Sequence, residues 1–184
     1  MIYMVDHVFD NPQTEPAWHE WYSGYLQKLL SVPGFGSAQR FKAIGETPHR
    51  FLAMYSVASA AVYESQGYKN IGGGGSQSAR FHGDYKRWTR NLFEGANDVP
   101  VVNAAQCVYA LDSDTPDRPL PLPAFAASSA QPPLWLKSVG LHQTTAYRAI
   151  LVLDAARVDA AKASAGGEGY FYAPHTARLS PKTA

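Results

Sequence analysis

Two stretches of this chain, offset by roughly 100 residues, follow one order of residue types, and that recurrence limits the possible folds more than any single motif. "LSVPGFGSAQRF" is paralleled by "KSVGLHQTTAYR", and "FLAMYSVASAAVYES" by "AILVLDAARVDAAKAS". The shared order is glycine turn, strand, strand, small-residue cap, helix. In the first copy "IYMVDHVF" precedes this order as a strand of β-branched and aromatic residues, with Ile2, Met4, Asp6 and Val8 on one face and Tyr3, Val5, His7 and Phe9 on the other. Thr14 then offers an N-cap, and Trp18, Trp21, Tyr22, Tyr25 and Leu29 recur at helical spacing before Pro33-Gly34. A hairpin about "ETP" follows, then a short helix capped by Ser59, and Arg87 to Gly95 supplies a last strand. That order, β-α-β-β-α-β, is the ferredoxin-like module.

Beyond Pro100 the pattern restarts with "NAAQCVYALDSD" as a strand, but the Pro/Ala/Ser stretch "TPDRPLPLPAFAASSAQPP" cannot be helical throughout, so a helix has been lost. "GEGYFYAPHTARLSP" supplies the closing strand. We therefore expect an α+β fold of tandem ferredoxin-like repeats, residues 1–100 and 101–184, the second degenerate and packed on the first as an intrachain α/β barrel. A four-stranded sheet with helices on one face needs cover on the other, and a second sheet supplies it. The space between the sheets is then the expected cavity. Aromatic residues make up 12% of the chain, including 11 tyrosines, so rings and hydroxyls are available to line it.

Composition narrows the partners. With 16 basic and 15 acidic residues, a net charge of +1 offers no long-range pull on nucleic acid or anionic lipid. One cysteine, Cys107, leaves no disulfide or thiolate cluster, which fits a reducing cytoplasm, and no basic leader or membrane-length apolar run is present. The expected partner is a small-molecule substrate, with neither nucleic acid nor membrane involved, and the remaining sheet edges leave room for a homodimer.

"EWYSGYLQKLLSVPGFGSAQRF" followed by "HRFLAMYSVASAAVYES" resembles the dimeric α/β-barrel superfamily, in particular its EthD-like and muconolactone-isomerase-like branches. The shared features are a tryptophan-bearing first helix, a V-P-G-F turn, an arginine-bearing strand and a Y-L-A-x-Y type of strand. The resemblance covers about the first half of the chain, with a faint echo after Pro132. Where many EthD-like sequences carry a Glu-His pair in the first helix, this chain has Gly24 and Tyr25. A first-strand histidine acts as an acid/base in some related aromatic polyketide cyclases, and His7 matches its position loosely.

The chemistry-bearing residues gather in a few places. Four glycines, Gly72 to Gly75, invite a phosphate-loop reading, but Ser76-Gln77 follows them where Lys-Ser/Thr would be needed, and a helix end precedes them where a dinucleotide fingerprint needs a strand. The run is read as a turn or loop, with a mobile lid over the cavity as the functional alternative. "ARFHGDYKRWTR" offers Arg80 or Arg87 for a substrate carboxylate and His82 or Tyr85 for proton transfer, against the plainer reading of a solvated, ion-paired surface. His7 is a cavity base or a satisfied core histidine. Since Asp6 lies on the opposite strand face, one of the two must enter the helix-covered layer and find a partner there. His142 and His175 are assigned to strands of the second repeat, and His19 and His49 to exposed positions. No His, Asp or Glu spacing fits a metal site.

These observations point to a cofactor-independent lyase or isomerase, of cyclase or dehydratase type, acting on a carbonyl-bearing aromatic or ring-cleavage-derived substrate. Its catalytic groups would be His7, Tyr25, His82 and Tyr85, and its substrate-binding groups Tyr3, Trp21, Arg40, Arg80, Arg87 and His142. The alternatives are a non-catalytic small-molecule binding protein and a haem-associated barrel with a histidine axial ligand.

Overall fold

Alternation along the first strand decides what the two sides of the sheet become. In the computed structural model, which describes residues 1–115, 129 and 131–182, β1 (Ile2–Phe9) turns Tyr3, Val5, His7 and Phe9 toward α1 (Glu15–Leu30) and turns Ile2, Met4 and Asp6 the other way. The chain continues through β2 (Phe35–Ala43), β3 (Phe51–Val57), a 3-10 turn at Ala60–Glu64, α2 (Gln66–Asn70) and a 3-10 segment at Gly73–Asp84 into β4 (Tyr85–Glu94). The second half supplies β5 (Gln106–Ser113), β6 (Leu134–Leu141), β7 (Tyr147–Asp154), α3 (Val158–Ala165) and β8 (Tyr170–Pro174).

The strands close into a barrel in the order β1-β3-β2-β8-β5-β7-β6-β4. Numbered within its own half, each set of four runs 4-1-3-2, the ferredoxin-like order, and the two seams are β2 with β8 and β4 with β6. The chain is thus a tandem ferredoxin-like α/β barrel closed within one polypeptide. The β2–β8 ladder pairs only Phe41 to Ala43, and the C-terminal tail extends that seam through a bridge between Ala38 and Leu179.

The inward faces of all eight strands meet in one core. Ile2, Met4, Phe41, Leu52, Met54 and Phe93 of the first half pack on Val108, Ala110, Leu136, Ile150, Val152 and Tyr172 of the second, each at most 4% exposed. The expected cavity between the sheets is corrected by this packing, because large apolar side chains on both inner faces fill the space to core density. At one end of this interior the Arg148 guanidinium donates to Asp6 at 2.9 Å and 3.1 Å and to Asp112 at 2.6 Å and 2.9 Å. Asp6 is the strand residue that entered the barrel, and it carries its cation with it.

Several local expectations are also corrected. Thr14 holds the N-cap position of α1 but makes no capping hydrogen bond, since its hydroxyl donates instead to Asp84 at 2.7 Å. The helix placed after Ser59 divides into the 3-10 turn and α2, and the capping side chain is Ser65, which accepts from the Tyr68 N–H at 3.2 Å. The last strand of the first half begins at Tyr85, two residues ahead of Arg87. In the second half Gly140 lies inside β6, and the reversal comes at the positive-φ residues Leu141 and Gln143, so His142 is in a turn. His175 stands one residue past the end of β8. The Pro/Ala/Ser stretch falls mostly outside the described residues.

Replacing Arg148 with Met leaves the Asp6 carboxylate buried without its cation, and about 3 to 5 kcal/mol of stability should be lost. Urea unfolding of Arg148→Met and of Asp6→Leu/Arg148→Met checks this: the double variant should recover a large part of the loss, and equal losses in both would refute the pairing argument.

Candidate functional site

The outer face of the first half-sheet is roofed by rings. The indole of Trp18 is fully buried and stacks on Phe9 with centroids 4.6 Å apart, while its Nε1–H donates to the Tyr85 hydroxyl at 2.7 Å. The hydroxyls of Tyr22 and Tyr55 meet at 3.0 Å, and Tyr55 stacks on Tyr3 at 5.2 Å. Rigid rings on a helix and on a sheet do not interdigitate as methyl groups do, and gaps remain between them.

β4 is bent to aim two side chains into this layer. Arg87 adopts φ +48° where the β1–β4 register shifts between Asp6 and Val8, so an extra residue enters the strand. As a result Tyr85, Trp88 and Arg90 share the helix side although Tyr85 and Trp88 are three residues apart, and Arg87 itself is left exposed. The segment Gly73–Asp84 crosses the gap and is tied down at its end by Asp84, which accepts from Asn11 at 3.0 Å and from Thr14 at 2.7 Å. Its glycines serve the backbone. A Cβ on Gly73 would sit 2.3 Å from the Tyr68 ring, and Gly75 adopts φ +109° beside Trp88 and His82.

Two adjoining chambers result. The inner, of about 40 Å³, is walled by Tyr3, Trp21, Tyr25, Tyr55, Tyr68 and Arg90. The outer, of about 200 Å³, is bounded by Gly75, Ser78, His82, Tyr85 and Trp88, and all of these except His82 also line the inner one. An apolar cavity of about 150 Å³ takes up benzene, so the outer chamber has room for one ring.

Among the described residues, Arg90 is the only formally charged one in the inner wall. Its guanidinium lies over the Trp88 ring at 4.8 Å, its Nε is buried without a hydrogen-bond partner, and its backbone N–H donates to His142 Nδ1 at 3.2 Å. Burial raises the pKa of Tyr3, Tyr25, Tyr55 and Tyr85, so these phenols stay protonated and act as hydrogen-bond donors. A cation and several hydroxyls with no carboxylate in the wall make a place where negative charge on a ligand is favoured.

His7 is fully buried one layer below, T-shaped to Trp18 at 5.1 Å and to Tyr85 at 5.6 Å, and neither ring nitrogen has a hydrogen-bond partner. Desolvation, reinforced by the Arg40 charge, pushes its pKa well below the usual value; the Val5 backbone pulls weakly the other way without making a hydrogen bond. Arg40 is 1% exposed, stacked over Tyr22 at 4.0 Å and Trp18 at 4.6 Å, and donates to His19 Nδ1 at 3.0 Å. His19 in turn meets Glu15 at 3.3 Å, and burial with the Arg40 charge brings it down to about 4.

Of the residues expected from sequence, Tyr3, Trp21, Tyr25, Tyr85 and His82 therefore gather around the chambers. His7 and Arg40 lie in the core behind them. Arg80 covers the Phe81 ring at 4.6 Å outside the wall, and His142 reaches the site through Arg90 and its edge contact with Trp88. Arg90 takes the place expected for Arg87, for the reason the bulge supplies. Sequence reasoning also missed Tyr55, Tyr68, Ser78 and Trp88. Period-two counting back from Leu92 would have found Arg90 and Trp88, both in the same strand as Leu92. Neither His7 nor His82 is placed to ligate a haem: His7 is sealed in the core, and the chamber beside His82 holds a single ring, well short of a porphyrin.

No protein-family model and no curated protein matches the chain in sequence. Solved structures match it in fold. A protein described as anthrone oxidase-like superposes with a TM-score of 0.66 at 13% identity, over 99% of this chain and 93% of its own. A protein described as a candidate monooxygenase from Fusobacterium nucleatum gives 0.53 at 9%, over 100% and 98%, and one described as a candidate chlorite dismutase gives 0.56 at 8%, over 95% of each chain. At these identities the likeness is one of fold, and the fold is that of the dimeric α/β barrels.

The buried histidines make stability depend on pH. An unfolded histidine takes up a proton below about 6.5, whereas native His7 and His19 resist it, so the stability they confer is present above that pH and lost as pH falls. Urea midpoints should drop steadily between pH 7 and pH 5. His7→Phe should make that slope shallower by up to about 1.4 kcal/mol per pH unit, one proton's worth; an unchanged slope would place the His7 proton elsewhere.

Proposed function

We propose that the protein is a small enzyme that works without a cofactor, taking a carbonyl-bearing aromatic or ring-cleavage-derived compound into the outer chamber and removing a proton beside the carbonyl. His82 is the base, since its imidazole is the one histidine ring on the chamber wall. The enolate oxygen is met by Tyr85, whose hydroxyl already accepts from Trp18 and so has its own proton to give. Arg90, across Trp88, supplies the positive potential. The single observation that carries this reading is an arginine set among protonated phenols with no carboxylate beside it. A basic group at the mouth with a cation within is what stabilising a developing enolate requires.

The enolate can then lose a leaving group or reprotonate elsewhere, which is lyase or isomerase chemistry. A second reading, capture of the enolate by dioxygen, draws support from the neighbours described as anthrone oxidase-like and as candidate monooxygenases. Both readings share the first step.

Incubation in D2O with a panel of hydroxylated aryl ketones and lactones, followed by NMR, should show deuterium entering beside the carbonyl. His82→Ala should slow this about 100-fold or more, and Arg90→Gln should weaken binding of the ionised compounds. Repeating the reaction under argon separates the two fates. Exchange that survives unchanged in both variants would overturn the assignment.

A further inference from the structure

The wall of the inner chamber holds a cation and hydroxyl protons with little to receive them. Arg90 is partly buried there and forms no ion pair with a described residue, whereas Arg148 meets Asp6 and Asp112, Arg50 meets Glu15 and Arg178 meets Asp98. A cation drawn out of water without a counter-charge is costly, and an anion in the space beside it removes that cost.

The phenols repeat the pattern. Tyr3 and Tyr25 line the chamber, and neither hydroxyl is hydrogen-bonded to a described residue, while the Tyr55 hydroxyl is engaged with Tyr22 at 3.0 Å. Burial raises the pKa of Tyr3 and Tyr25 and the Arg90 charge pulls it down, so both phenols keep their protons within the field of the guanidinium. Acceptors in the wall are few. The Gly75 carbonyl already takes the Ser78 hydroxyl proton at 2.8 Å and faces His82 Nε2 at 3.0 Å, and the Tyr85 oxygen takes the Trp18 N–H at 2.7 Å.

From this wall we infer that the inner chamber is a binding site for a carboxylate-sized monoanion, held by the Arg90 guanidinium and the Tyr3 and Tyr25 hydroxyls. Size and shape fix the class. A water needs roughly 10 to 15 Å³ of such space, so a chamber of about 40 Å³ takes about three waters or one carboxylate or nitrate in their place. Phosphate and sulfate bring five heavy atoms and a second charge that the single arginine does not match. A planar anion also suits the guanidinium fork, which can give it two parallel N–H bonds. The anion arrives either free or as the carboxylate of an aryl acid whose ring lies in the outer chamber, which shares Gly75, Ser78, Tyr85 and Trp88 with the inner one.

The inference stands on the chamber wall and not on proton abstraction, and its test needs no turnover. Calorimetric titration of the full chain with sodium formate, nitrate and benzoate, at constant ionic strength, should show saturable binding of one anion per chain. Arg90→Gln and Tyr25→Phe should each weaken it about 10-fold or more. Arg80→Gln, which alters an arginine outside the wall, should leave it unchanged, and neutral benzamide should bind far less tightly than benzoate. Benzoate that binds more tightly than formate and displaces it identifies an aryl acid as the ligand; formate and benzoate bound together identify a free anion. Circular dichroism verifies folding. Should the Arg90 variant fail to fold, crystals of the wild-type protein soaked in bromide should show anomalous density among Tyr3, Tyr25 and Arg90. No saturable binding, affinity indifferent to Arg90→Gln, benzamide equal to benzoate, or bromide found only elsewhere would each overturn the inference. Anion binding intact without deuterium exchange would instead tell against the enolate reading alone.

Discussion

Closure of the sheet is the constraint from which the rest of the structure follows. A four-stranded half has two open edges and one bare apolar face, and neither survives exposure to water. Pairing β2 with β8 and β4 with β6 removes the edges at once, and it also turns every inward residue toward the same axis. Once the edges are joined the diameter is set, and side chains of ordinary size fill it. A ligand site therefore has to form on the outside, between the sheet and whatever covers it.

The two outer layers differ in a way that explains where the gap opens. On the second half α3 brings small residues, Ala161 and Ala165, down onto Cys107, Tyr109 and Leu151, and short side chains let helix and sheet approach closely. On the first half α1 brings Trp18, Tyr22 and Leu26, with Trp21 and Tyr25 at the margin, against a sheet that presents Tyr3 and Tyr55. Planar rings meet edge to face at fixed angles, and the spaces they leave cannot be closed by small adjustments. The glycine-bearing segment can enter that space because Gly73 has no side chain to collide with Tyr68. Gly72, Gly73 and Gly75 of the run are thus explained by close approach and backbone shape.

Much of the architecture could be read from the sequence because β1, β3 and β7 are short runs rich in apolar, β-branched and aromatic residues bounded by turns, and α1 carries its rings at helical spacing. The duplicated order of strands was legible for the same reason. Gly140 misled because a glycine within a strand looks the same in sequence as a glycine at a turn, and the reversal in fact uses non-glycine residues in positive φ. Arg87 misled for a related cause: a bulge exchanges the faces of a strand without leaving a mark in composition, so the wrong arginine was aimed inward. The location of the cavity was illegible, because both sheet faces are rich in rings and only packing decides which of them is left with space. His82 and Tyr85 were recoverable, since a histidine and a tyrosine flanking a glycine-rich segment are costly to explain as core.

Trp88 now takes on a particular meaning. One face of its indole is covered by the Arg90 guanidinium, its edge meets His142 at 5.7 Å, and its far end lies near Gly75. It is common to both chambers, together with Gly75, Ser78 and Tyr85, and it is the large ring among those shared residues whose face is taken by Arg90. Arg90 lines the inner chamber and His82 the outer, so a ring bound beside His82 would feel the cation past the shared Trp88 indole, in low-dielectric surroundings where a charge acts over a longer range than in water. The bulge at Arg87 fixes the backbone from which that indole projects. Backbone geometry at one exposed residue thereby governs how far into the first half a substrate can reach, which is why the strand that closes the barrel is also the strand that shapes the site.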